Sequence, residues 1–161
     1  MKHTSTAFIL ICASLLFSNC KKDDPAAGGQ ILPGVGITGI KIGQPAQQAI
    51  DVYGSVAPSY GGVGGTYTHF LLYLTEGVAV YCEPSSSSTF SPTMLVKSIN
   101  LTTPYSGKTA EGIGIGSTKT AVEAAYGAPV STSAFFGDTF SNGLRVLYDS
   151  AGTVVEEITV E

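Results

Sequence analysis

Two short stretches of the chain carry the hydrophobic spacing of an amphipathic helix. In the first stretch, apolar residues recur at i, i+3, i+4 and i+7, which places them on one helical face: Ala46, Ala49, Ile50 and Tyr53. Pro45 suits the first helical position, where its missing N–H needs no partner. Gly54 follows the last apolar residue, where a left-handed backbone favours glycine. The pattern predicts a short helix that ends at Tyr53.

The second stretch repeats this plan. Ser117 is a favourable N-cap, and Gly127 ends the pattern just before Pro129. The apolar face between them is formed by Val122, Ala125 and Tyr126. When positions 39–54 are aligned with 112–127, six of sixteen residues are identical, and these lie at the start and at the final Tyr-Gly. Helices this short are unstable alone in water, so each must pack on another element.

Segments rich in β-branched and aromatic residues follow both helices. They occupy 66–75, 78–83 and 94–101 after the first helix, and 133–140, 144–149 and 153–160 after the second. Asn142-Gly143 is a strong hairpin signal, and Thr75–Gly77 and Asp149–Gly152 are further turns. Each copy therefore predicts a helix followed by a three-stranded antiparallel meander.

The duplication predicts an α+β fold of two tandem modules, residues 37–103 and 104–161, with the helices packed on a shared or adjoining sheet. One helix on three strands buries little apolar surface, whereas two copies side by side bury a shared core. The copies differ in their strands and predicted loops, such as Tyr60–Gly65 and Pro84–Pro92. We expect recognition at these loops and on the strands.

The apolar run Ala7–Phe17 is too short to span a bilayer as a mature helix, and it precedes Cys20. This N-terminal segment resembles the signal of a bacterial lipoprotein of the Bacteroidetes type. The resemblance implies a signal peptide over 1–19, a lipid on Cys20 that holds the protein to the membrane, and a flexible tether over 20–36. An ordinary signal peptide with an incidental cysteine is the alternative.

The residues after Cys20 also resemble a surface-export signal, formed by Lys21, Lys22, Asp23 and Asp24. The outer membrane is therefore the expected location, and both the periplasmic and the cell-surface orientation stay open.

The charge balance argues against nucleic acid as a partner. Of eight Lys or Arg residues only Lys2 precedes Cys20, while all twelve Asp or Glu residues follow it, so the chain from Cys20 has a formal charge of −5. Cys82 is the one cysteine that follows Cys20, which excludes a disulfide within the mature chain. Its place in the apolar run VAVYC predicts a small buried side chain.

The second copy of the repeat has a pattern formed by Ile115, Gly116, Ser117, Val122, Tyr126, Gly127 and Pro129, then Tyr148, Asp149, Gly152, Val154 and Ile158. The first copy matches it through Ile42, Gly43, Ile50, Tyr53 and Gly54. This pattern resembles the small outer-membrane lipoprotein domain of the BamE/SmpA type, and the tandem modules of the β-lactamase inhibitory protein family. Both families act by binding proteins, so the resemblance implies a protein-binding module.

The chain offers little for catalysis. His69 is the only histidine after Cys20, and its strand-like surroundings favour a packed or half-exposed side chain over a general base. We expect no catalytic residue, no metal and no cofactor.

A candidate binding surface is formed by Tyr60, Tyr67, His69, Tyr73 and Tyr81. Tyrosine suits contact with protein or sugar, and core packing is the alternative for some of the five. We expect a non-catalytic, lipid-anchored envelope protein that binds another envelope or extracellular protein. A carbohydrate-binding accessory lipoprotein and a secreted-type enzyme inhibitor are the alternatives.

Overall fold

A computed structural model describes residues 28–161 and consists mainly of antiparallel β-structure. Its strands are β1 (Ile31–Leu32), β2 (Gly36–Ile37), β3 (Ile40–Lys41), β4 (Ser59–Val63), β5 (Thr66–Tyr73), β6 (Val78–Cys82), β7 (Val96–Thr102), β8 (Ser131–Ser133), β9 (Gly137–Thr139), β10 (Leu144–Tyr148) and β11 (Val155–Val160). Its two helices are α1 (Gln47–Tyr53) and α2 (Lys119–Tyr126).

Strands β4 to β11 form one eight-stranded sheet with the order β4-β5-β6-β7-β11-β10-β9-β8. The two halves meet where β7 pairs with β11, with Ile99 opposite Val160 and Leu101 opposite Ile158. Strands β1, β2 and β3 form a separate three-stranded sheet. The predicted module boundary, between residues 103 and 104, lies just after the end of β7.

The expected fold class, two α+β modules with three-stranded meanders, is wrong. Each helix is followed by four strands, both sets of four join in one sheet, and a small sheet precedes α1. The predicted loop Tyr60–Gly65 is also wrong over most of its length, because β4 pairs with β5 from Ser59 opposite Phe70 to Val63 opposite Thr66. Glycine weakens intrinsic strand propensity, and here the hydrogen-bonded partner strand outweighs that preference.

The hydrophobic core lies on one face of the eight-stranded sheet. Alternate residues of the central strands point into it and are buried, such as Leu71, Val80 and Ile99. The same cluster holds Ile40 from the small sheet and Val122 from α2. Both helices and the small sheet therefore pack against this face, which we call the covered face.

Both helices end at the tyrosine that the repeat predicts, whereas both begin later than the sequence predicts. Gly54 and Gly127 have φ of 90° and 78°, a sign that favours glycine as predicted, but their ψ of 176° and −161° is extended rather than left-handed helical. The first helix begins at Gln47, and Pro45 forms an isolated bridge with Leu95 instead. In α2 the N-cap is Thr118 rather than Ser117, since the Thr118 side chain accepts a hydrogen bond from the Ala121 N–H at 3.2 Å.

The Asn142-Gly143 hairpin forms, but not with the predicted two-residue turn. The Gly143 N–H donates to the Phe140 carbonyl at 3.2 Å, so Ser141 and Asn142 are the central residues. Only Gly143 has a positive φ, of 79°, whereas the predicted turn type needs a positive φ at Asn142 as well. Gly143 is therefore the residue that follows the two central turn residues, and that position has the positive φ.

Candidate functional site

The second face of the eight-stranded sheet, which we call the open face, contributes nothing to the buried core. Its apolar side chains are only half-buried, among them Phe70, Leu72, Tyr81 and Leu147. None of these belongs to the core cluster or packs against it. The open face is therefore a broad, regular surface that the covered face does not need for its own packing.

Strand register aligns a row of polar side chains across the open face. Successive cross-strand pairs bring together Asn100, Thr159, Arg145, Thr139 and Ser131, and these five residues form what we call the polar row. Arg145 is the only charged member. The row runs perpendicular to the strands, so residues far apart in sequence become neighbours because β7 pairs with β11.

Aromatic rings lie near the polar row in both halves of the sheet. Phe70 and Tyr81 pair across β5 and β6 with ring centroids 5.5 Å apart. On the other side, the guanidinium carbon of Arg145 lies 5.8 Å from the ring centroid of Phe136, an exposed residue of the β8–β9 turn. Aromatic and arginine side chains are enriched in protein interfaces relative to ordinary surface.

A cleft of about 220 Å³ opens in the centre of the open face. It is lined by Tyr81, Ser98, Asn100, Arg145 and Thr159. Arg145 Nη2 donates to Thr159 Oγ1 at 3.5 Å and lies 3.8 Å from Glu161 Oε2. Two atoms of these lining residues, Arg145 Nε and Asn100 Oδ1, are shielded from solvent and have no hydrogen-bond partner among residues 28–161.

The structure divides the five predicted surface residues between the two faces of the sheet. Tyr81 lies on the open face. Tyr60 is opposite His69 on the other side of the sheet, with 56% of its surface exposed, and Tyr67 is half-buried beside it. Tyr73 is buried, and its hydroxyl donates to the Gly54 carbonyl at 3.2 Å. Only Tyr60, Tyr67 and His69 are brought together.

His69 is packed within an aromatic cluster. It is 1% exposed, and its ring centroid lies 5.7 Å from that of Tyr60 and 6.1 Å from that of Phe90. Its Nε2 is 2.8 Å from the Ser87 carbonyl oxygen, so Nε2 carries the proton and donates. The contact is with the Ser87 backbone rather than its hydroxyl, which differs from a serine nucleophile beside a base.

A second polar cluster lies on the covered face beneath α2. Asp138 is 1% exposed, and its Oδ2 lies 3.1 Å from Lys119 Nζ. The same ammonium lies 5.0 Å from the centroid of the Tyr148 ring. Burial, aided by the nearby charges of Asp138 and Glu123, raises the pKa of Tyr148 to about 12. This ion pair ties the start of α2 to the edge hairpin β8–β9.

Cys82 is fully buried on the covered face, as the sequence predicts. Removal from water raises the pKa of its thiol to about 11, which favours the unreactive protonated form.

Residues 28–161 contain no group of three or more His, Cys, Asp and Glu side chains placed to hold a metal ion. Within the same range no helix is long and apolar enough to cross a membrane. The predicted lipid attachment at Cys20 and the predicted export signal Lys21–Asp24 lie outside the described residues.

Comparison of the chain with protein-family models, with curated proteins and with solved structures found no match. The resemblance to the BamE/SmpA and β-lactamase inhibitory protein families therefore stays a prediction from the repeat.

Proposed function

We propose that this chain is a non-catalytic, lipid-anchored protein of the cell envelope, and that it binds another protein through the open face. The observation that supports the proposal best is a sheet face outside the core that carries half-buried apolar side chains, such as Phe70 and Tyr81, around Arg145. Aromatic residues and arginine with few other charges are typical of protein interfaces.

The dimensions of the open face suit such an interface. Eight strands about 4.8 Å apart give a width of about 34 Å, and strands of five residues are about 17 Å long. The product is about 580 Å² of flat area, which is of the same order as the roughly 800 Å² that each partner contributes to a stable protein complex. Because hydrogen-bonded strands hold the backbone, binding would order only side chains and would lose little conformational entropy.

Binding through this face predicts a large effect of Tyr81→Ala. Tyr81 belongs to the aromatic pair and also lines the central cleft, and residues at the centre of an interface contribute most to affinity. We expect a loss of affinity of about 30-fold, corresponding to about 2 kcal/mol. The measurement is recovery of co-purifying envelope protein from detergent-solubilised membranes, followed by titration of the recovered partner.

Tyr60→Ala is the matched control, because it removes a tyrosine that is at least as exposed but lies on the other side of the sheet. It should leave affinity within about twofold. If Tyr60→Ala abolishes recovery while Tyr81→Ala does not, the open face is not the binding surface. If neither variant nor the wild type recovers a protein reproducibly, the proposed function fails.

The membrane part of the proposal rests on Cys20. A lipid on this residue would hold the protein to the outer membrane, since each buried methylene adds about 0.8 kcal/mol of membrane affinity. We expect Cys20→Ala to leave an unlipidated chain that is soluble or uncleaved, as measured by detergent phase partitioning and by the size of the product. Unchanged processing and unchanged partitioning would contradict the anchor.

One observation favours carbohydrate as a second candidate ligand. Four of the five residues in the polar row are uncharged hydroxyl or amide side chains, and they lie close to aromatic rings. Sugars present hydroxyl groups that both donate and accept. A glycan array probed with wild type and Tyr81→Ala tests this candidate, and uniform absence of binding would exclude it.

A further inference from the structure

The two edges of the eight-stranded sheet differ in how well they are protected from pairing with another chain. The edge strand β8 has only three residues, and a very short edge offers little to a partner. The edge strand β4 has five residues, all of them exposed, and it pairs with β5 without a bulge. The sequence from Val52 to Thr75 contains no Lys, Arg, Asp or Glu, and no proline lies within β4. Strand β4 therefore lacks the features that usually protect an edge.

The strand register shows which backbone groups of β4 point to the free edge. The Tyr67 N–H donates to the Ser85 carbonyl at 2.7 Å, and the Ser85 N–H donates to the Tyr67 carbonyl at 2.8 Å, so both Tyr67 groups point away from β4. Gly62 lies directly opposite Tyr67. Because opposed residues of an antiparallel pair exchange both hydrogen bonds or neither, the N–H and C=O of Gly62 point outward. Those of Tyr60, two residues earlier, point the same way.

A second copy of the same strand complements this edge. When two β4 strands lie antiparallel with Gly61 opposite Gly61, Tyr60 of each copy lies opposite Gly62 of the other. These two residues have their free groups at the junction, so each opposed pair can exchange two hydrogen bonds. Each tyrosine ring can cover a glycine, a combination that stabilises strand pairing. Because the strand has no charged residue, the pairing brings no like charges together.

We propose that two copies of this chain associate through β4, with a two-fold axis at Gly61. Antiparallel neighbours are related by an axis perpendicular to the sheet, so the pairing joins the two sheets into one and leaves both open faces on the same side. This inference goes beyond the proposed function and does not depend on it. A dimer with two parallel open faces would bind a partner that has repeated sites bivalently, which raises the effective affinity without any new contact.

Cysteine crosslinking of the full chain in intact cells tests both the association and its register. The fold should tolerate Gly61→Cys, because φ of Gly61 is not positive and a Cβ there meets nothing within 4 Å. In the proposed register the two introduced cysteines are directly opposed, with Cα atoms about 4.5 Å apart, a separation that a disulfide spans. We expect a membrane-permeable oxidant to convert much of the Gly61→Cys chain to a covalent dimer.

Val63→Cys is the matched control for the register. Val63 is 90% exposed on the same strand, but it lies opposite Ser59 of the second copy in the proposed pairing. Two cysteines at position 63 would be about 14 Å apart, which is too far for a disulfide. We expect Val63→Cys to give no more covalent dimer than the wild type, which measures the background from the native cysteines.

Gly61→Glu tests the association without a covalent bond. It places two carboxylates in direct opposition across the axis, which disfavours pairing, whereas the single copy has open space there. Sedimentation velocity of the detergent-solubilised chain should show a dimer that Gly61→Glu weakens at least about fivefold. Ser131→Glu adds the same charge at the exposed start of β8 and should leave the dimer unchanged. Circular dichroism reports whether each variant is folded.

Three results would overturn the inference: equal crosslinking from Gly61→Cys and Val63→Cys, a wild type that stays monomeric, or an unchanged dimer in folded Gly61→Glu. Covalent adducts of Gly61→Cys with a different protein instead of a second copy would also overturn it, since β4 would then receive a foreign strand. Tyr81→Ala separates the inference from the proposed function. It removes a side chain of the open face on β6, so it should leave the Gly61→Cys crosslink unchanged whether or not it affects partner recovery.

Discussion

Replacing Gly77 by alanine is expected to destabilise the fold by about 2–5 kcal/mol. Gly77 lies in the turn between β5 and β6 and has φ of 69°, where a Cβ is strained. A Cβ there would also overlap the Thr102 carbonyl oxygen and approach the Tyr105 amide nitrogen to 2.7 Å. That carbonyl accepts a hydrogen bond from the Tyr105 N–H at 2.8 Å, so moving it aside would weaken that bond.

Gly64→Ala is the matched control for this prediction. Gly64 has φ of 63°, similar to that of Gly77, but a Cβ there meets nothing within 4 Å. Only the backbone strain remains, so we expect a loss of about 1 kcal/mol. Urea unfolding of both variants compares the two free energies. Equal losses would show that the close approach of Gly77 to the Thr102 backbone does not contribute to stability.

Lys119→Met is expected to lower stability by about 2–4 kcal/mol. Methionine keeps most of the aliphatic packing of lysine but removes the ammonium that lies 3.1 Å from Asp138 Oδ2. Because Asp138 is almost fully buried, its carboxylate would be left in a poorly solvated site without a counter-charge. Breaking a buried ion pair typically costs about 3–5 kcal/mol, and the partial exposure of Lys119 reduces that figure here.

A double-mutant cycle with Asp138→Asn isolates the charge from the packing. Asparagine keeps the shape of the side chain and removes the buried charge, so Lys119→Met should cost less in the Asp138→Asn background than in the wild type. Thermal or urea unfolding of all four proteins supplies the comparison. Additive losses would mean that the ion pair is not the reason for the stability of α2 on the β8–β9 hairpin.

The sequence predicts the local structure of this chain well. The spacing of Ala49 and Tyr53 marks α1, and the segments 66–75, 78–83 and 144–149 correspond to β5, β6 and β10. These elements are found because the period of their apolar residues reports the face that is buried. The positive φ after each helix is also predictable, since the Tyr-Gly end occurs twice.

The arrangement of the strands is not predictable in this way. Strand β4 contains Gly61 and Gly62, whose composition indicates a loop, and it is a strand because β5 supplies its hydrogen-bond partners. The pairing of β7 with β11 joins residues more than fifty positions apart, and neither strand carries a local pattern that specifies it. The short strands of the small sheet are likewise defined by pairing rather than by periodicity.

The candidate site shows the same limit. Tyrosine content alone singled out Tyr60 and Tyr73, although the structure places both away from the open face and buries Tyr73. Alternation could have found better residues, because Phe70 and Arg145 occupy the phase opposite to the buried positions of β5 and β10. That Asn100 and Arg145 share one cleft depends on the strand order, which the sequence does not reveal.

Site-specific photo-crosslinking in intact cells tests the central claim most directly. Benzoylphenylalanine is placed on the open face at Tyr81 or Leu147, which lie in different halves of the sheet, or on α1 at the exposed residue Gln47. A protein-binding open face predicts the same crosslinked protein from Tyr81 and Leu147 and none from Gln47. Crosslinks only from Gln47, or from none of the three positions, would contradict it.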